Sequence, residues 1–176
     1  MKTSQCTDGG GKGRRIAMFT GSFDPFTRGH ESVVERALPM FDEIVVAIGV
    51  NFGKHTLTPM ELRRQWIEST FSHEPKVRVI TYTGLTADAA RQCGARYLLR
   101  GVRTVADFES EKTMAEVNRE LSGLETVLLY TLPECSHISS SLVRELVKYG
   151  QSVERYLPKG LDRSLVPPEW TGAGRK

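Results

Sequence analysis

The stretch RIAMFTGSFDPFTRGHESVVERAL, residues 15–38, joins a short apolar run to a helical pattern through a turn rich in glycine and proline. The apolar run is typical of a buried strand, and from His30 onward Val34 and Leu38 recur at helical spacing. The turn has neither the lysine of a GxxxxGK[ST] loop nor the spacing of GxGxxG. Because the free N–H groups at a helix start favour anions, the stretch predicts a strand, an anion-binding turn and a helix.

The same alternation continues along the chain. Four further runs rich in apolar and β-branched residues predict strands: EIVVAIGV, KVRVITYT, RYLLRGV and ETVLLYTL. Each is followed by a helical segment, and in the first of these Thr58 and Glu61 predict a capping box. Five strands alternating with five helices predict an α/β fold: a Rossmann-like, doubly wound, five-stranded parallel sheet with helices on both faces, in a single domain.

Length and composition predict one folded body between two tails. A chain of 176 residues is long enough for one domain with a real core. Residues 1–14 are rich in Gly, Ser and Lys and predict a disordered leader, residues 15–161 form the domain, and residues 162–176 predict a flexible C-terminal tail. No apolar run approaches the roughly 20 residues that span a bilayer, so we expect a soluble, cytoplasmic protein without a membrane partner.

Charge and cysteine usage argue against two further classes of protein. The net charge of +3 arises from tails that together carry +5, which leaves the body at −2. A basic face for nucleic acid is therefore not expected. Cys6, Cys93 and Cys135 are odd in number and far apart, without a CxxC pair, so they predict free thiols rather than a disulfide framework or a protein metal site.

Polar residues collect where the predicted strands end, which in an open parallel sheet is the edge that binds ligands. The candidates are Ser22 and His30 after the first strand, Lys54 after the second, Arg100 and Arg103 at the end of the fourth, and the serines 139–141 after the fifth. Their joint placement predicts a pocket for at least two phosphate-bearing groups.

Each candidate also has an ordinary structural alternative. His30 could cap a turn, Lys54 could be an exposed lysine, and a single serine of the run 139–141 suffices as an N-cap. The two arginines could instead form ion pairs with acidic residues downstream, namely Asp107, Glu109 or Glu111.

The residue types favour transfer between phosphates over hydrolysis. No carboxylate pair and no Ser-His-Asp order is present in the sequence. A phosphate nucleophile is already mostly ionised at neutral pH, so its attack needs no general base. Such a reaction requires alignment and stabilisation of charge, which neutral donors and cations supply.

Three segments carry a family resemblance. TGSFDPFTRGH, RGVRTVADFE and ISSSLVRE, in this order and spacing, closely resemble the phosphopantetheine adenylyltransferase family, within the nucleotidyltransferase superfamily marked by [HT]xGH. The resemblance runs from about Arg15 to Leu161, and RGxRxxxDFE is its most specific piece. It implies transfer of the adenylyl group of ATP to 4′-phosphopantetheine, giving dephospho-coenzyme A and pyrophosphate in coenzyme A biosynthesis.

The resemblance also implies roles for individual residues. The catalytic residues would be His30, Ser22, Lys54 and Arg103, with His30 stabilising the pentacoordinate transition state at the α-phosphorus. ATP would be bound by Ser22, Phe23, His30, Gly101, Val102, Arg103, Glu111, Cys135, Ser136, His137, Ile138, Ser139, Ser140 and Ser141. The acceptor 4′-phosphopantetheine would be bound by Ser22, Lys54, Thr86 and Arg100. Mg²⁺ would be held mainly through the phosphates of ATP, and the family resemblance implies a homohexamer.

Two departures from the family pattern bear on nucleotide packing. Ser110 stands where many members have an aromatic residue between two glutamates, and Cys135 stands where an aromatic often precedes the serines.

Two other functions remain alternatives. One is a nucleotidyltransferase with another acceptor, such as nicotinamide mononucleotide or a polyol phosphate. The other is a nucleotide-binding sensor that has lost catalysis.

Overall fold

The computed structural model describes residues 13–50, 53 and 55–172 of the chain. Five strands form one sheet in the order β3-β2-β1-β4-β5, and every neighbouring pair is parallel. This confirms the predicted five-stranded parallel sheet. The strands are β1 (Ile16–Gly21), β2 (Glu43–Gly49), β3 (Val77–Tyr82), β4 (Tyr97–Val102) and β5 (Glu125–Tyr130).

Five α-helices connect or follow the strands. They are α1 (Arg28–Ala37), α2 (Met60–Thr70), α3 (Thr86–Cys93), α4 (Val105–Ser122) and α5 (Ser140–Lys148). The chain builds the sheet outward from β1 to β3 and then returns to place β4 on the other side of β1. The direction of winding therefore reverses between β1 and β4, and a crevice opens there at the carboxyl ends of the strands.

Alternate residues of the central strands enter cores on opposite faces of the sheet. On one face, Phe19 packs in a cluster with Val34 of α1 and Ile67 of α2. On the other face, Met18 packs in a cluster with Ala90 of α3. Because successive side chains of a strand point to opposite sides, the apolar runs of the sequence need cover on both faces. The predicted helices on both faces are confirmed.

The helix starts differ in detail from the sequence prediction. Helix α1 begins at Arg28, with Thr27 as its N-cap, two residues before the predicted start at His30. The predicted capping box of Thr58 and Glu61 is wrong, because α2 begins at Met60 and the buried Thr58 hydroxyl has no hydrogen-bond partner among the described residues. The backbone N–H of Thr58 is instead bound by the carboxylate of Asp24, 2.7 Å away.

The predicted flexible tail from residue 162 onward is wrong as far as residue 172. Two short 3-10 helices, Arg163–Leu165 and Pro168–Trp170, pack against α2. The Trp170 ring lies 5.4 Å from the ring of Trp66, and the indole N–H of Trp66 donates to the Leu165 carbonyl at 3.1 Å. Burial of two indoles stabilises a segment whose composition alone is polar and loose.

Other predictions about the chain have mixed outcomes. Residues 1–12 of the predicted leader, including Cys6, and residues 173–176 of the predicted tail lie outside the described residues. Cys93 and Cys135 are free thiols, as predicted. Within the described ranges, no helix has the length and apolar character needed to cross a membrane.

Replacement of Trp170 by alanine tests the packing of the C-terminal segment. Trp170 is 5 % exposed and Trp66 is fully buried, so we expect Trp170→Ala to lower the free energy of unfolding by about 3 kcal/mol in urea denaturation at pH 7. Glu169→Ala, an exposed change on the same 3-10 helix, serves as the control and should leave stability unchanged. A loss below about 1 kcal/mol for Trp170→Ala would show that the segment is dispensable for stability.

Candidate active site

A cavity of about 390 Å³ lies at the switch point between β1 and β4. Its wall is formed by residues that leave the carboxyl ends of β1, β4 and β5, together with the starts of α1, α4 and α5. The residues that line it are Phe19, Thr20, Gly21, Ser22, Phe23, Thr27, Gly29, His30, Val33, Arg100, Gly101, Arg103, Asp107, Glu111, Thr131, Ile138, Ser139, Ser140, Ser141 and Arg144.

His30 lies in the first turn of α1 and is held by hydrogen bonds and aromatic rings. Its Nδ1 accepts the backbone N–H of Thr27 at 3.0 Å. The rings of Phe23 and Phe26 each lie 5.2 Å from the imidazole. Because Nδ1 is an acceptor, the neutral ring carries its proton on Nε2 and can donate from that nitrogen.

The protonation state of His30 is fixed by burial and by two neighbouring cations. Burial, then the charges of Arg103 and Arg100, lower the pKa of His30 from 6.5 to about 3. His30 is therefore neutral at physiological pH and offers one hydrogen-bond donor without a full charge. The contact of this donor with a phosphate, predicted from its place at the start of a helix, stays a prediction.

The two predicted arginines line the cavity, and each is paired with a carboxylate of α4. Arg100 contacts both carboxylate oxygens of Glu111 and also the backbone carbonyl of Thr20. Arg103 donates to Asp107 at 3.1 Å. Burial alone would raise the pKa of Asp107, but the hydrogen bonds from Arg103 outweigh it and the pKa lies below its ordinary value.

From the sequence alone, Arg100 and Arg103 could either form ion pairs with acidic residues or line a phosphate pocket. In the structure each arginine does both, since it pairs with a carboxylate and also lines the first cavity. Paired guanidinium groups are held in fixed orientations, and each keeps further N–H groups. Pairing and phosphate binding are thus compatible, since a phosphate can share or replace the carboxylate as acceptor.

The loop between β1 and α1 is held by groups from distant parts of the chain. The buried Asp24 carboxylate accepts the backbone N–H groups of Leu57 and Thr58 at 2.8 and 2.7 Å. Arg144 of α5 donates to the Asp24 carbonyl at 2.7 Å, and the Ser140 hydroxyl donates to the Pro25 carbonyl at 2.8 Å. This loop is therefore fixed before any ligand enters.

A second cavity, of about 590 Å³, lies at the ends of β1, β2 and β3. It shares the rim Thr20–Ser22 with the first cavity, so a ligand in each would meet at that rim. The other described residues that line it are Gly49, Val50, Gly53, Tyr82, Thr83 and Gly84.

The predicted acceptor residues occupy different places around these cavities. Ser22 lines both cavities, and Arg100 lines the first. Thr86 does not line either cavity, but its hydroxyl is 3.1 Å from the hydroxyl of Tyr82, which lines the second. Lys54 lies outside the described residues, so its predicted roles stay predictions.

Most of the predicted nucleotide-binding residues line the first cavity, and four do not. Those that line it are Ser22, Phe23, His30, Gly101, Arg103, Glu111 and Ile138–Ser141. Of the others, Val102 is buried in the sheet and Cys135 in the cluster around α5. The Ser136 hydroxyl donates to the Pro133 carbonyl, and the exposed His137 ring lies 6.2 Å from Tyr156.

Sequence reasoning missed several residues that build the site. Asp24 and Arg144 support the loop, and Thr20 accepts from Arg100 through its hydroxyl at 3.1 Å. Asp24 stands inside the opening stretch, where a buried acid between two phenylalanines is itself a signal of a dedicated partner. The reach of Arg144 across the chain has no comparable signal in the sequence.

The donor set of the first cavity has little capacity for a metal of its own. Among the described residues, no group of three or more His, Cys, Asp or Glu side chains could hold a metal ion. The two carboxylates of the wall, Asp107 and Glu111, are both bound to arginines.

Comparison with known proteins adds independent evidence. Residues 18–146 match the family model described as Cytidylyltransferase-like. The phosphopantetheine adenylyltransferase of Porphyromonas gingivalis is 52% identical over 147 residues, which cover 84% of this chain and 96% of that protein. That of Bacteroides thetaiotaomicron is 47% identical over 148 residues, covering 84% of this chain and 98% of its own length.

The chain belongs to the phosphopantetheine adenylyltransferase family. The resemblance predicted from the three sequence segments is thereby confirmed. The adenylyltransferase of Flavobacterium johnsoniae adds a further relative, 52% identical over 144 residues that cover 82% of this chain and 95% of that one.

Solved structures support the fold of this adenylyltransferase family member. A bifunctional NMN adenylyltransferase/ADP ribose pyrophosphatase from Francisella tularensis, in complex with AMP and a manganese ion, superposes with a TM-score of 0.64. The sequence identity is 15%, and the match covers 86% of this chain. The chain spans about half of that structure, 46% of its length, and the likeness concerns the fold alone.

The depressed pKa of His30 predicts how stability changes with acid. An unfolded histidine binds a proton below about pH 6.5, whereas folded His30 binds one only near pH 3. Between these values the unfolded state holds more protons, so stability falls as the pH is lowered. At pH 5 the contribution of His30 lowers the free energy of unfolding by about 2 kcal/mol relative to pH 7.

Urea denaturation at pH 7, 6 and 5 checks this expectation. His30→Gln should lose less stability between pH 7 and pH 5 than the wild type, whatever its absolute stability. His73→Gln, at an exposed histidine, is the matched control for removing an imidazole away from the cavity. Equal slopes for wild type and His30→Gln would contradict the assignment, as would an imidazole of His30 that titrates near pH 6 by NMR.

Proposed function

We propose that this protein transfers the adenylyl group of ATP to 4′-phosphopantetheine, giving dephospho-coenzyme A and pyrophosphate. The observation that carries the proposal is the pair of cavities that share the rim Thr20–Ser22. A transfer between two phosphates needs two ligands whose phosphates meet, and this rim is where they would meet. The relatives named above support the choice of donor and acceptor.

The proposed reaction does not require a side chain that acts as a general base. An oxygen of the acceptor phosphate attacks the α-phosphorus of ATP and forms a new P–O bond. The bond between the α-phosphorus and the oxygen bridging to the β-phosphorus breaks, and pyrophosphate leaves with that bond's electron pair. Because a phosphate monoester is largely ionised at pH 7, no side chain has to remove a proton first.

The residues of the first cavity can stabilise the charge that builds at the α-phosphorus. Neutral His30 donates from Nε2, and Arg103 supplies a cation held in place by Asp107. Ser139 caps the start of α5, where free backbone N–H groups favour an anion. Donors fixed in advance act most strongly on charge that appears only in the transition state.

Binding of the acceptor is assigned to the second cavity and to the rim. Ser22 and Arg100 lie at or beside the rim, and Thr86 supports Tyr82 in the wall. By family resemblance, Lys54, which lies in the segment that follows β2 in the sequence, completes the phosphate site.

Magnesium, assembly and location belong to the same proposal. Mg²⁺ would take its ligands mainly from ATP phosphates and water, since the nearby carboxylates are bound to arginines.

Exposed apolar side chains on α4, namely Val105, Met114 and Leu121, support a homo-oligomer, a hexamer by family resemblance. The proposed use of ATP and of a coenzyme A precursor supports a cytoplasmic location. Nucleic acid and membranes are not expected as partners.

A pyrophosphate-release assay with ATP and Mg²⁺ tests the activity. Release is expected with 4′-phosphopantetheine and not with nicotinamide mononucleotide or a polyol phosphate. Release only with one of the latter would favour a related nucleotidyltransferase with another acceptor. Binding of ATP without release for any acceptor would favour the sensor alternative.

Replacement of His30 by alanine tests its role at the α-phosphorus. The loss of a donor used mainly in the transition state should lower kcat by about 10²- to 10³-fold, while KM for both substrates changes less. The matched control His73→Ala removes an exposed histidine and should leave kcat unchanged. Near-normal turnover of His30→Ala would remove this residue from the mechanism.

A further inference from the structure

Arg63 of α2 is a buried cation with very few partners. It is 4 % exposed, and its Nη1 donates to the backbone carbonyl of Ser22 at 2.6 Å. Its Nε has no hydrogen-bond partner among the described residues, within which it also forms no ion pair. Burial lowers the pKa of Arg63, and the charge of Asp24 partly restores it.

Burying the Arg63 guanidinium in this way lowers the stability of the fold, so stability alone does not explain its position. Moving a guanidinium out of water is unfavourable unless its N–H groups are satisfied, and here one carbonyl is the main acceptor. Asp24, the acid whose charge acts on Arg63, uses its carboxylate oxygens to accept the backbone N–H groups of Leu57 and Thr58. The next residue, Arg64, shows the ordinary arrangement, since it is exposed and pairs with Glu68.

The side-chain hydrogen bond of Arg63 falls on the rim that the two cavities share. Ser22 lines both cavities. Because the peptide group is planar and trans, fixing the carbonyl of Ser22 also fixes the N–H of Phe23, which points the opposite way. Arg63 therefore sets the direction of a backbone donor in the loop through a contact made from outside the loop.

That peptide group leads into a strained backbone conformation. Phe23 has φ of +45°, the left-handed region that residues other than glycine rarely adopt. Such conformations persist only where the surrounding structure holds them, and they concentrate at functional sites. The hydrogen bond from Arg63 to the preceding carbonyl is one of the contacts that hold it.

We propose that Arg63 is a positioning residue of the adenylyl transfer: its buried guanidinium fixes the Ser22–Phe23 peptide group at the rim where the two phosphates meet. The inference rests on the proposed function, and it assigns to α2 a part in the reaction that none of the sequence motifs indicates. The charge of Arg63, in contact with the Ser22 carbonyl, also favours anionic groups that meet at the rim.

Three variants test the proposal in the pyrophosphate-release assay, with activity expressed per folded molecule and folding measured by circular dichroism. Arg63→Met removes the contact and the charge, and kcat should fall at least about tenfold, with KM for ATP and acceptor changing less than about threefold. Arg63→Lys keeps the charge but is one bond shorter, so its kcat should lie between that of Arg63→Met and wild type. Arg64→Met, the same change one residue along α2, should keep the wild-type kcat.

The outcomes separate this inference from the proposed function. Wild-type release with reduced kcat in Arg63→Met and normal kcat in Arg64→Met supports the positioning role. A folded Arg63→Met with lower thermal stability but wild-type kcat overturns it, since Arg63 would then be structural only. If Arg63→Met does not fold, Arg63→Lys decides, and a wild-type kcat in that variant overturns the proposal. No release by the wild type rejects the proposed function itself, and this inference with it.

Discussion

The site depends on how the loop between β1 and α1 satisfies its buried polar groups. A carboxylate as deeply buried as that of Asp24 is unfavourable unless it is fully hydrogen-bonded, and it receives two backbone N–H groups from the segment before α2. The carbonyls of the same loop are bound from α2 and α5. The loop thus acquires its shape only when three remote parts of the chain have packed around it.

The same arrangement explains how the cavity handles phosphate without the lysine of a GxxxxGK[ST] loop. A loop that wraps a triphosphate closely would cover the α-phosphorus, which must stay open to attack by a second phosphate. Here a neutral histidine and the start of a helix supply donors near the loop. The arginines reach the cavity from β4 and the segment after it, and α4 holds them in place.

Much of the fold follows from local patterns, and the exceptions have physical reasons. The alternation of apolar runs and helical spacings predicts the parallel sheet, since both are local properties of the chain. Trp170 packs on Trp66, more than 100 residues away in the chain. The polar segment that contains Trp170 has no local pattern that predicts this contact. Thr58 is a second example of a long-range contact that local sequence does not show. The sequence predicts it as a helix cap, whereas in the structure its backbone N–H donates to the Asp24 carboxylate.

The candidate site likewise combines features that local sequence predicts with features that depend on contacts between distant residues. The position of His30, Arg100 and Arg103 at strand ends is readable from the sequence, because parallel strands present their carboxyl ends at one edge. Which acid each arginine selects depends on the turn of α4, where Asp107 and Glu111 lie four residues apart on one face. The supports Asp24 and Arg144 depend on three-dimensional packing, and the departure at Cys135 places a small buried side chain in the cluster around α5.

The pairing of the arginines has a consequence for how ligands arrive. The described wall of the first cavity holds three arginines and two carboxylates, and His30 is neutral, so little net positive charge faces the solvent. A field of this size attracts a polyphosphate only weakly over distances beyond about 10 Å. Selectivity therefore arises after entry, when phosphate oxygens compete with Asp107 and Glu111 for the guanidinium groups that these carboxylates hold.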